Sequence, residues 1–351
     1  MTQPTQLIYL AFGATTYQRE AVFSIVSALT HAARNEHSEP FHIRVFTDAP
    51  DFYGKLPVAI SAIDPSWSGP HNYHFRIKHM VLREALQQCD KAILIDTDTF
   101  FRASPTELIK RVAPGKLLCN AIGQPLGEAP PFPAEMLTRL KEANLSLTNL
   151  RQTNSGVIGL MQSDLSLLKR SIDWMDELRP LAPELYTLEE LCLALAAHGH
   201  MELNACTDVI HHYWSRKAQF RAKVDAWFLK HHASPLSAEA MHDALQLNDR
   251  LPRPPQPYRS WQKLLTLLAP SDRRQFFREL LYGCHTYPNE FDRACNSAWW
   301  DKAVINAQER TGRPLSPEEL EEWLNSPLLK ILAGKHYPTL HFHILGRSKS
   351  N

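Results

Sequence analysis

KAILIDTDTFF, residues 91–101, is the stretch that decides the fold and points to a site. It begins as an apolar run typical of a buried β-strand and continues into two aspartates one residue apart, Asp96 and Asp98. In an open α/β sheet the carboxyl ends of the strands face the ligand crevice. Two carboxylates in that position can aim oxygens at one hard cation. The stretch therefore predicts a metal site at the end of a sheet strand, suited to holding a diphosphate.

The bulk composition excludes some classes of partner. The 351 residues hold 38 Lys and Arg against 37 Asp and Glu, so no overall field draws the chain to nucleic acid. The amino terminus lacks a signal-peptide pattern, and no stretch has the length of a membrane span. The six cysteines are scattered singly, as buried free thiols in a reducing compartment would be. We expect a cytoplasmic protein; peripheral attachment to the inner face of a membrane stays open.

Two common phosphate-binding loops do not occur in the sequence. There is no G-x-G-x-x-G, and the Gly115-Lys116 pair is followed by leucine and lacks the upstream glycine of a P-loop. Rossmann dinucleotide binding and P-loop phosphoryl transfer are therefore both disfavoured.

Residues from Leu7 to about Trp214 alternate between short apolar runs and amphipathic helices, which predicts an α/β domain. Ser104 and Glu107 have the spacing of a capping box, which predicts a helix start. A loop rich in Pro and Gly is predicted over 123–133. The predicted strands are residues 7–13, 42–48, 58–64, 91–96, 116–123 and 155–161, and the main predicted helices are 75–88, 164–178 and 187–197.

Beyond Trp214 the apolar period is helical throughout. Five of the eight tryptophans lie there, which is too much aromatic mass for a disordered tail. We therefore predict an α/β domain over residues 1–217, a helical region over 218–345 and a disordered tail over 346–351.

Further polar residues surround the aspartate pair in a recognisable order. The helix before the pair carries Arg76 and Lys78, and a later strand begins with the run Asn154-Ser155-Gly156-Val157-Ile158. A helix start then supplies Glu189 and Glu190. The α/β part closes on HHYWSRK, which contains His211, His212 and Lys217.

With the D-x-D triplet, this order resembles the GT-A glycosyltransferases, with the glycogenin-like branch nearest. The resemblance covers roughly residues 5–217, and it departs from the family pattern by having Glu at 189 and no H-x-x-G-x-x-K around His212. It implies a Rossmann-like, mostly parallel sheet with helices on both faces, followed by a helical region. It also implies a metal-dependent transfer of a sugar from a nucleotide-diphosphate donor, a UDP-sugar being favoured, to a glycan, lipid or protein acceptor.

The resemblance implies a role for each matching residue. The metal, Mn²⁺ or Mg²⁺, would be bound by Asp96, Asp98 and His212, since neighbouring residues on a strand face opposite sides and only one of His211 and His212 can reach it. The catalytic candidates are Glu189, Glu190 and Asn154. The candidate donor-binding residues, which include side chains at the ends of the first two strands, are Phe12, Thr15, Tyr17, Asp48, Arg76, Lys78, Asp96, Thr97, Ser155, Gly156 and Lys217.

Several of these residues have an ordinary structural explanation that stays open. Asn154–Gly156 could be a turn, Glu189 and Glu190 could be acids favoured by a helix dipole, and Arg76 or Lys78 could be a solvated helix charge. Phe12 and Tyr17 could be core residues. The histidines at 231, 232, 341 and 343 have no partner pattern and are predicted to lie at the surface. The region 218–345 could shape the acceptor site, form a homodimer or touch a membrane.

Two other functions fit the same triplet. In a haloacid-dehalogenase-like phosphohydrolase Asp96 would be the nucleophile, Asp98 the acid/base and Thr99 the third element. That motif normally opens its domain, whereas some ninety residues of β-α pattern precede it here, and no later G-D-x-x-x-D follows. The other alternative is a catalytically inactive GT-A-like binding module, which the full set of charged site residues disfavours.

Overall fold

The structure is a computed structural model that describes residues 4–127, 132–145 and 147–348. The chain divides into two compact units. The first comprises residues 1–214 and 231–245, and the second comprises 215–230 and 246–351.

A seven-stranded sheet forms the centre of the first unit, in the order β3-β2-β1-β4-β7-β6-β8. Every neighbouring pair is parallel except the two that involve β7. Two short strands, β5 and β9, form a separate antiparallel pair. The strands are β1 (Thr5–Ala11), β2 (Phe41–Thr47), β3 (Ala59–Ser61), β4 (Lys91–Ile95), β5 (Thr99–Phe101), β6 (Lys116–Pro125), β7 (Arg151–Met161), β8 (Glu202–Ala205) and β9 (Ile210–His212).

Helices cover both faces of this sheet, because successive strand residues point to opposite sides. Tyr9 hydrogen-bonds Ser24 of α1 on one face, while Ile8 packs with Val81 and Leu82 of α2 on the other. The predicted α/β class, a mostly parallel sheet with helices on both faces, is confirmed. The helices up to the end of the sheet are α1 (Thr15–Ala33), α2 (Arg76–Leu86), α3 (Thr106–Ile109), α4 (Ala134–Glu142), α5 (Leu165–Leu178) and α6 (Leu188–Ala197).

The strand order reverses between β1 and β4. β2 and β3 extend the sheet on one side of β1, and the chain then crosses over so that β4 lies on the other side. Ligands of open α/β sheets bind at such a reversal, beside the carboxyl ends of the strands. The Asp96-Thr97-Asp98 triplet directly follows β4 at this edge, which we call the carboxyl edge.

Beyond β9 the described part of the chain has only helices as its regular structure, as predicted. In the second unit Phe276, Phe277, Trp300, Trp323 and Leu324 belong to one buried cluster. No helix among the described residues is long and apolar enough to cross a membrane. The helices that follow β9 are α7 (Lys217–His231), α8 (Ala238–Gln246), α9 (Gln256–Leu265), α10 (Arg274–Gly283), α11 (Glu290–Arg293), α12 (Asn296–Thr311), α13 (Pro317–Leu324), α14 (Pro327–Ala333) and α15 (Tyr337–Ser348). Of these, α8 lies in the first unit except for its last residue.

Some local predictions differ from the structure. β6 continues to Pro125, into the predicted loop over 123–133, of which residues 128–131 lie outside the described residues. The predicted capping box does not form, since α3 begins at Thr106 and the Glu107 N–H donates to the Ser104 carbonyl at 3.0 Å. The Ser104 hydroxyl instead accepts from the Thr106 N–H at 3.4 Å. α15 continues to Ser348, so the predicted disordered tail begins as helix, and residues 349–351 lie outside the described part of the chain.

Candidate active site

The two aspartates of the triplet meet a histidine from the far end of the α/β part. β5 pairs with β9 so that Thr99 lies opposite His212. This places His212 Nε2 at 3.1 Å from Asp98 Oδ1. The ring of His211, the next residue back, instead contacts Phe100 edge-on. Of the two candidate histidines, His212 is therefore the one beside the triplet.

The three side chains have the spacing of a metal site. One ligand atom each from Asp96, Asp98 and His212 lie within 4.8 Å of one another. Ligands on opposite sides of one ion lie roughly 4–5 Å apart, so a single cation fits among them. The side chains of Asp98 and His212 are each only 8% exposed. Two carboxylates with an imidazole suit Mn²⁺ and, less well, Mg²⁺.

Lys78 of α2 contacts the same group. Its ammonium donates to Asp96 Oδ2 at 2.8 Å and lies 3.9 Å from Glu189 Oε1. It also donates to the Ser155 hydroxyl at 3.4 Å. Burial alone would lower the pKa of Lys78, but the charges of Asp96 and Glu189 outweigh it and raise that pKa. The side chain is therefore a fixed cation at neutral pH.

Glu189 and Glu190, at the start of α6, are held by different partners. Glu189 accepts from the Tyr73 hydroxyl at 2.8 Å and from the Ser155 hydroxyl at 3.1 Å. Glu190 accepts from the Asn154 side-chain amide and from the Ser155 backbone amide, both at 3.0 Å. Burial raises the pKa of Glu189, and burial together with the charge of Glu189 raises the pKa of Glu190 to about 7.

The charges of this group leave room for a cation. Four carboxyl groups, those of Asp96, Asp98, Glu189 and Glu190, surround the single ammonium of Lys78, so their ionised forms outnumber it above about pH 7. A buried excess of negative charge is costly unless it is paired. A divalent cation at Asp96 and Asp98 would balance most of it, so both the electrostatics and the ligand types fit a metal.

The start of β7 forms one wall of the site. Asp96 donates its backbone N–H to the Gly156 carbonyl at 2.9 Å, which fixes the triplet against this strand. A Cβ atom placed on Gly156 would overlap the His212 imidazole. Glycine is therefore required for the close approach of β7 to the histidine. Asn154–Gly156 lie within the strand and not in a turn.

The residues predicted to meet the nucleotide lie where β1 and β2 end. Asp48 accepts from the Gly13 amide at 2.8 Å and from the Gln18 side chain at 2.9 Å. Thr15 and Tyr17, on the first turn of α1, are exposed. Phe12 is half-buried and packs against the core cluster that contains Ile8. The structure thus brings Asp48 to the carboxyl edge together with exposed side chains that a ligand could reach.

Arg76, a predicted donor-binding residue, has partners outside the acidic cluster. Arg76 makes a bidentate ion pair with Asp176 of α5, at 2.8 and 2.9 Å, and donates to the Trp67 carbonyl. These contacts account for its place on α2 without a ligand. Lys217 is the first residue of α7 and belongs to the second unit.

Sequence reasoning missed two residues that shape the site. The Tyr73 hydroxyl lies within hydrogen-bond distance of both the Glu189 carboxylate and the Tyr186 carbonyl, and Gln18 links Asp48 to the Ala11 carbonyl. Neither belongs to a motif. Tyr73 does lie two residues before the FRIKH segment, so its position near the site could have been suspected.

The phosphohydrolase alternative meets a geometric obstacle at Thr99. This residue is fully buried, its hydroxyl donates to the Asp96 carbonyl at 2.8 Å, and it lies 3.0 Å from the Ser24 hydroxyl. A hydroxyl held in this way is unavailable to a phosphate. The structure thus disfavours the third element of that motif.

A second acid and histidine group lies elsewhere in the first unit. His231 was predicted to lie at the surface, but it is buried and its Nε2 lies 2.8 Å from Asp243 Oδ2. Glu239 is near enough for the three to offer ligand atoms to one ion.

Known proteins give little independent guidance. No protein-family model and no curated protein matches the chain. Among solved structures, the chain is similar to a crystal structure of the galactosyltransferase LgtC in complex with donor and acceptor sugar analogs, at 15% sequence identity and a TM-score of 0.38. That similarity covers 54% of this chain and 70% of that chain. The activity therefore has to be inferred from the residues of the site themselves.

Proposed function

We propose that the chain is a metal-dependent glycosyltransferase that uses a nucleotide-diphosphate sugar as donor. The observation that carries this proposal is the Asp96, Asp98 and His212 group beside the Lys78 ammonium at the carboxyl edge. A donor of this kind loses a nucleoside diphosphate, so the chief catalytic need is to stabilise charge developing on phosphate oxygens. A cation site and a permanently charged lysine within one cluster meet that need.

Each residue has a specific task in this proposal. Asp96, Asp98 and His212 would hold Mn²⁺ or Mg²⁺, which as a Lewis acid would neutralise charge on the departing diphosphate. Lys78, whose ammonium bridges Asp96 and Glu189, would donate to an oxygen at the sugar end of the donor. Glu189 would orient a sugar hydroxyl, or act as the base if it lies beside the anomeric carbon on the face away from the diphosphate.

The nucleotide would bind where β1 and β2 end. Tyr17 offers an exposed ring, and Asp48, whose two oxygens are already oriented by Gly13 and Gln18, offers an acceptor for a ribose hydroxyl. A UDP-sugar is the favoured donor. The acceptor, whether glycan, lipid or protein, and the glycogenin-like branch both remain predictions.

The test is a donor panel with purified full-length protein, UDP-sugars and Mn²⁺. We expect UDP release that needs the metal and that falls at least about 100-fold in Asp98→Ala, because one of three ligands is lost. The matched control is Asp208→Ala, which removes an exposed aspartate paired with Arg111 in the same unit and should keep full activity. Phosphate release from phosphomonoesters would support the hydrolase instead, and donor binding without turnover would support the inactive module.

The second unit presents an apolar stripe that favours a membrane as its partner. Trp261, Leu264, Leu267 and Leu268 are 50–79% exposed, while the polar Gln262 and Thr266 of the same segment are buried. Residues 250–278 hold seven Arg or Lys and a single Asp. Apolar side chains next to positive charge are typical of binding to anionic lipid.

Vesicle co-sedimentation tests this contact. Trp261→Ser combined with Leu268→Ser should weaken binding to vesicles rich in anionic lipid by about tenfold or more. The control is Phe342→Ser, which changes an equally exposed apolar residue elsewhere in the second unit and should not weaken vesicle binding. A stable dimer that ignores vesicles, and that the double variant dissociates, would replace the membrane with a second copy of the chain.

A further inference from the structure

Glu190 is tied to the metal site through a chain of side chains. Its Oε1 atom accepts from Asn154 Nδ2 and from the backbone N–H of Ser155. Both groups belong to β7, the strand that forms one wall of the site. Glu190 therefore acts on the site indirectly, by holding β7 and above all the Asn154 side chain in place.

The orientation of the Asn154 side-chain amide is fixed from both ends. When Glu190 is ionised, the Asn154 nitrogen must face it, because a carboxylate can only accept hydrogen bonds. The Asn154 oxygen accepts from the Gly156 backbone N–H at 3.2 Å. The same oxygen lies 3.0 Å from His212 Nδ1. The amide thus presents only an acceptor to the imidazole.

This acceptor decides which nitrogen of His212 carries the proton. An amide oxygen cannot donate, so the 3.0 Å contact requires a proton on Nδ1. In the neutral ring the other nitrogen, Nε2, then carries the lone pair. Nε2 faces Asp98 Oδ1 at 3.1 Å, so a cation between these two atoms would meet two acceptors. The ring is set to bind a cation.

We propose that Glu190, acting through Asn154, selects the His212 tautomer that leaves Nε2 free for the metal. Glu190 and Asn154 are then positioning residues, and neither needs to touch the sugar. The involvement of a metal rests on the proposed function, whereas the tautomer is a property of the protein alone. Partners of this kind, which orient a ligating histidine from behind, typically change metal affinity by about 10–100-fold.

Two substitutions of Glu190 distinguish the effect of its hydrogen-bond acceptor from the effect of its side-chain volume. Glu190→Gln keeps an oxygen that can accept from both Asn154 and Ser155, so the amide should stay in place. Glu190→Met has a similar volume but no acceptor of comparable strength. The Asn154 amide is then held only by its longer contact with the Gly156 N–H. Rotation of the amide would offer an N–H to Nδ1, which favours the proton on Nε2 and blocks that nitrogen as a ligand.

The experiment is nitrogen-15 NMR of the histidine rings in the metal-free full-length protein at about pH 8.5, well above the usual imidazole pKa. The His212 signal is assigned by its loss in His212→Gln, which is used for nothing else. We expect the Nδ1–H tautomer in the wild type and in Glu190→Gln, and a shift toward Nε2–H in Glu190→Met. Calorimetry should show Mn²⁺ binding weakened by about tenfold in Glu190→Met and by less than about threefold in Glu190→Gln.

The possible results distinguish the positioning role of Glu190 from the proposed function. A wild-type His212 with its proton on Nε2, or a Glu190→Met variant with unchanged tautomer and unchanged Mn²⁺ affinity, would overturn the positioning role. A tautomer shift in a chain that binds no Mn²⁺ in any variant would support the positioning role and remove the proposed function. Thermal unfolding of both variants shows whether each is folded, and Glu190→Gln keeps the test valid if Glu190→Met is not.

Discussion

The first unit contains, among its described residues, two groups of two acids and one histidine each, and they differ in how well they suit a metal ion. The group of Asp96, Asp98 and His212 joins the link between β4 and β5 to the distant end of β9, and Asn154 orients its histidine from behind. In the group of His231, Glu239 and Asp243, the two acids lie one turn apart on α8 and Glu239 is exposed. There the close contact is a histidine–aspartate pair at 2.8 Å.

What separates the two groups is their surroundings and not the spacing of their ligands. The first has a lysine, a fixed amide and a glycine that lets the histidine approach. The second is accounted for by the hydrogen-bonded contact between His231, the last residue of α7, and Asp243. We therefore expect the full chain to bind Mn²⁺ at the first group and not at the second.

The largest effect is expected from closing the space behind His212. Gly156→Ala would push a methyl group into the imidazole, so the ring must move and Mn²⁺ affinity should fall by more than about tenfold. Gly54→Ala is the matched control, because a Cβ there meets only ordinary contact with the Asp51 carbonyl. Calorimetric titration with Mn²⁺ measures both. Equal affinities in the two variants would show that the approach of β7 to His212 does not matter for the metal.

A smaller effect concerns stability and pH in the metal-free protein. The folded-state pKa of Glu190, about 7, lies above the usual value near 4.5. The folded chain then binds more protons than the unfolded chain between these values, so the free energy of unfolding falls as pH rises from about 4.5 to 7. Glu190→Gln cannot ionise and should avoid roughly 2 kcal/mol of this loss.

Urea unfolding at pH 5 and pH 7.5 measures the difference. The wild type should lose more stability than Glu190→Gln over this interval. Parallel losses in the two proteins would mean that Glu190 keeps an ordinary pKa, and that its burial costs little.

The smallest effect should come from the second group. Asp243→Asn weakens the pair with His231 but keeps a hydrogen-bond acceptor, so we expect a loss of about 1 kcal/mol in unfolding free energy and no change in Mn²⁺ affinity. Chemical denaturation and calorimetry together check this. Loss of a second equivalent of bound Mn²⁺ in this variant would make the two groups alike after all.

The sequence predicted the parts of the site that follow local rules. The apolar run before Asp96 and the alternation along residues 155–161 are strong local signals, and both segments are strands beside the site. The choice of His212 over His211 needed only the alternation of a strand and one preferred face. Lys78 and Arg76 could not be separated by their spacing, because only the position of Asp176 on α5 decides where Arg76 points.

The rest depends on contacts between distant residues. β5 and β9 have three residues each, too few to show a period, and their pairing joins Thr99 to His212 across most of the first unit. β8 was missed for the same reason, since it has four residues. The burial of His231 depends on Asp243, which belongs to another helix. Short strands and tertiary ion pairs leave no periodic trace in a single sequence.

Calorimetric titration of the full-length chain with UDP, in the presence of Mn²⁺ and again in the presence of EDTA, tests the central claim most directly. We predict binding of one UDP per chain with Mn²⁺, at least about tenfold weaker binding with EDTA, and loss of the metal dependence in Asp98→Asn. UDP binding of equal strength with and without Mn²⁺, or no binding in either condition, would contradict the claim that Asp96, Asp98 and His212 anchor a metal-bound nucleotide diphosphate.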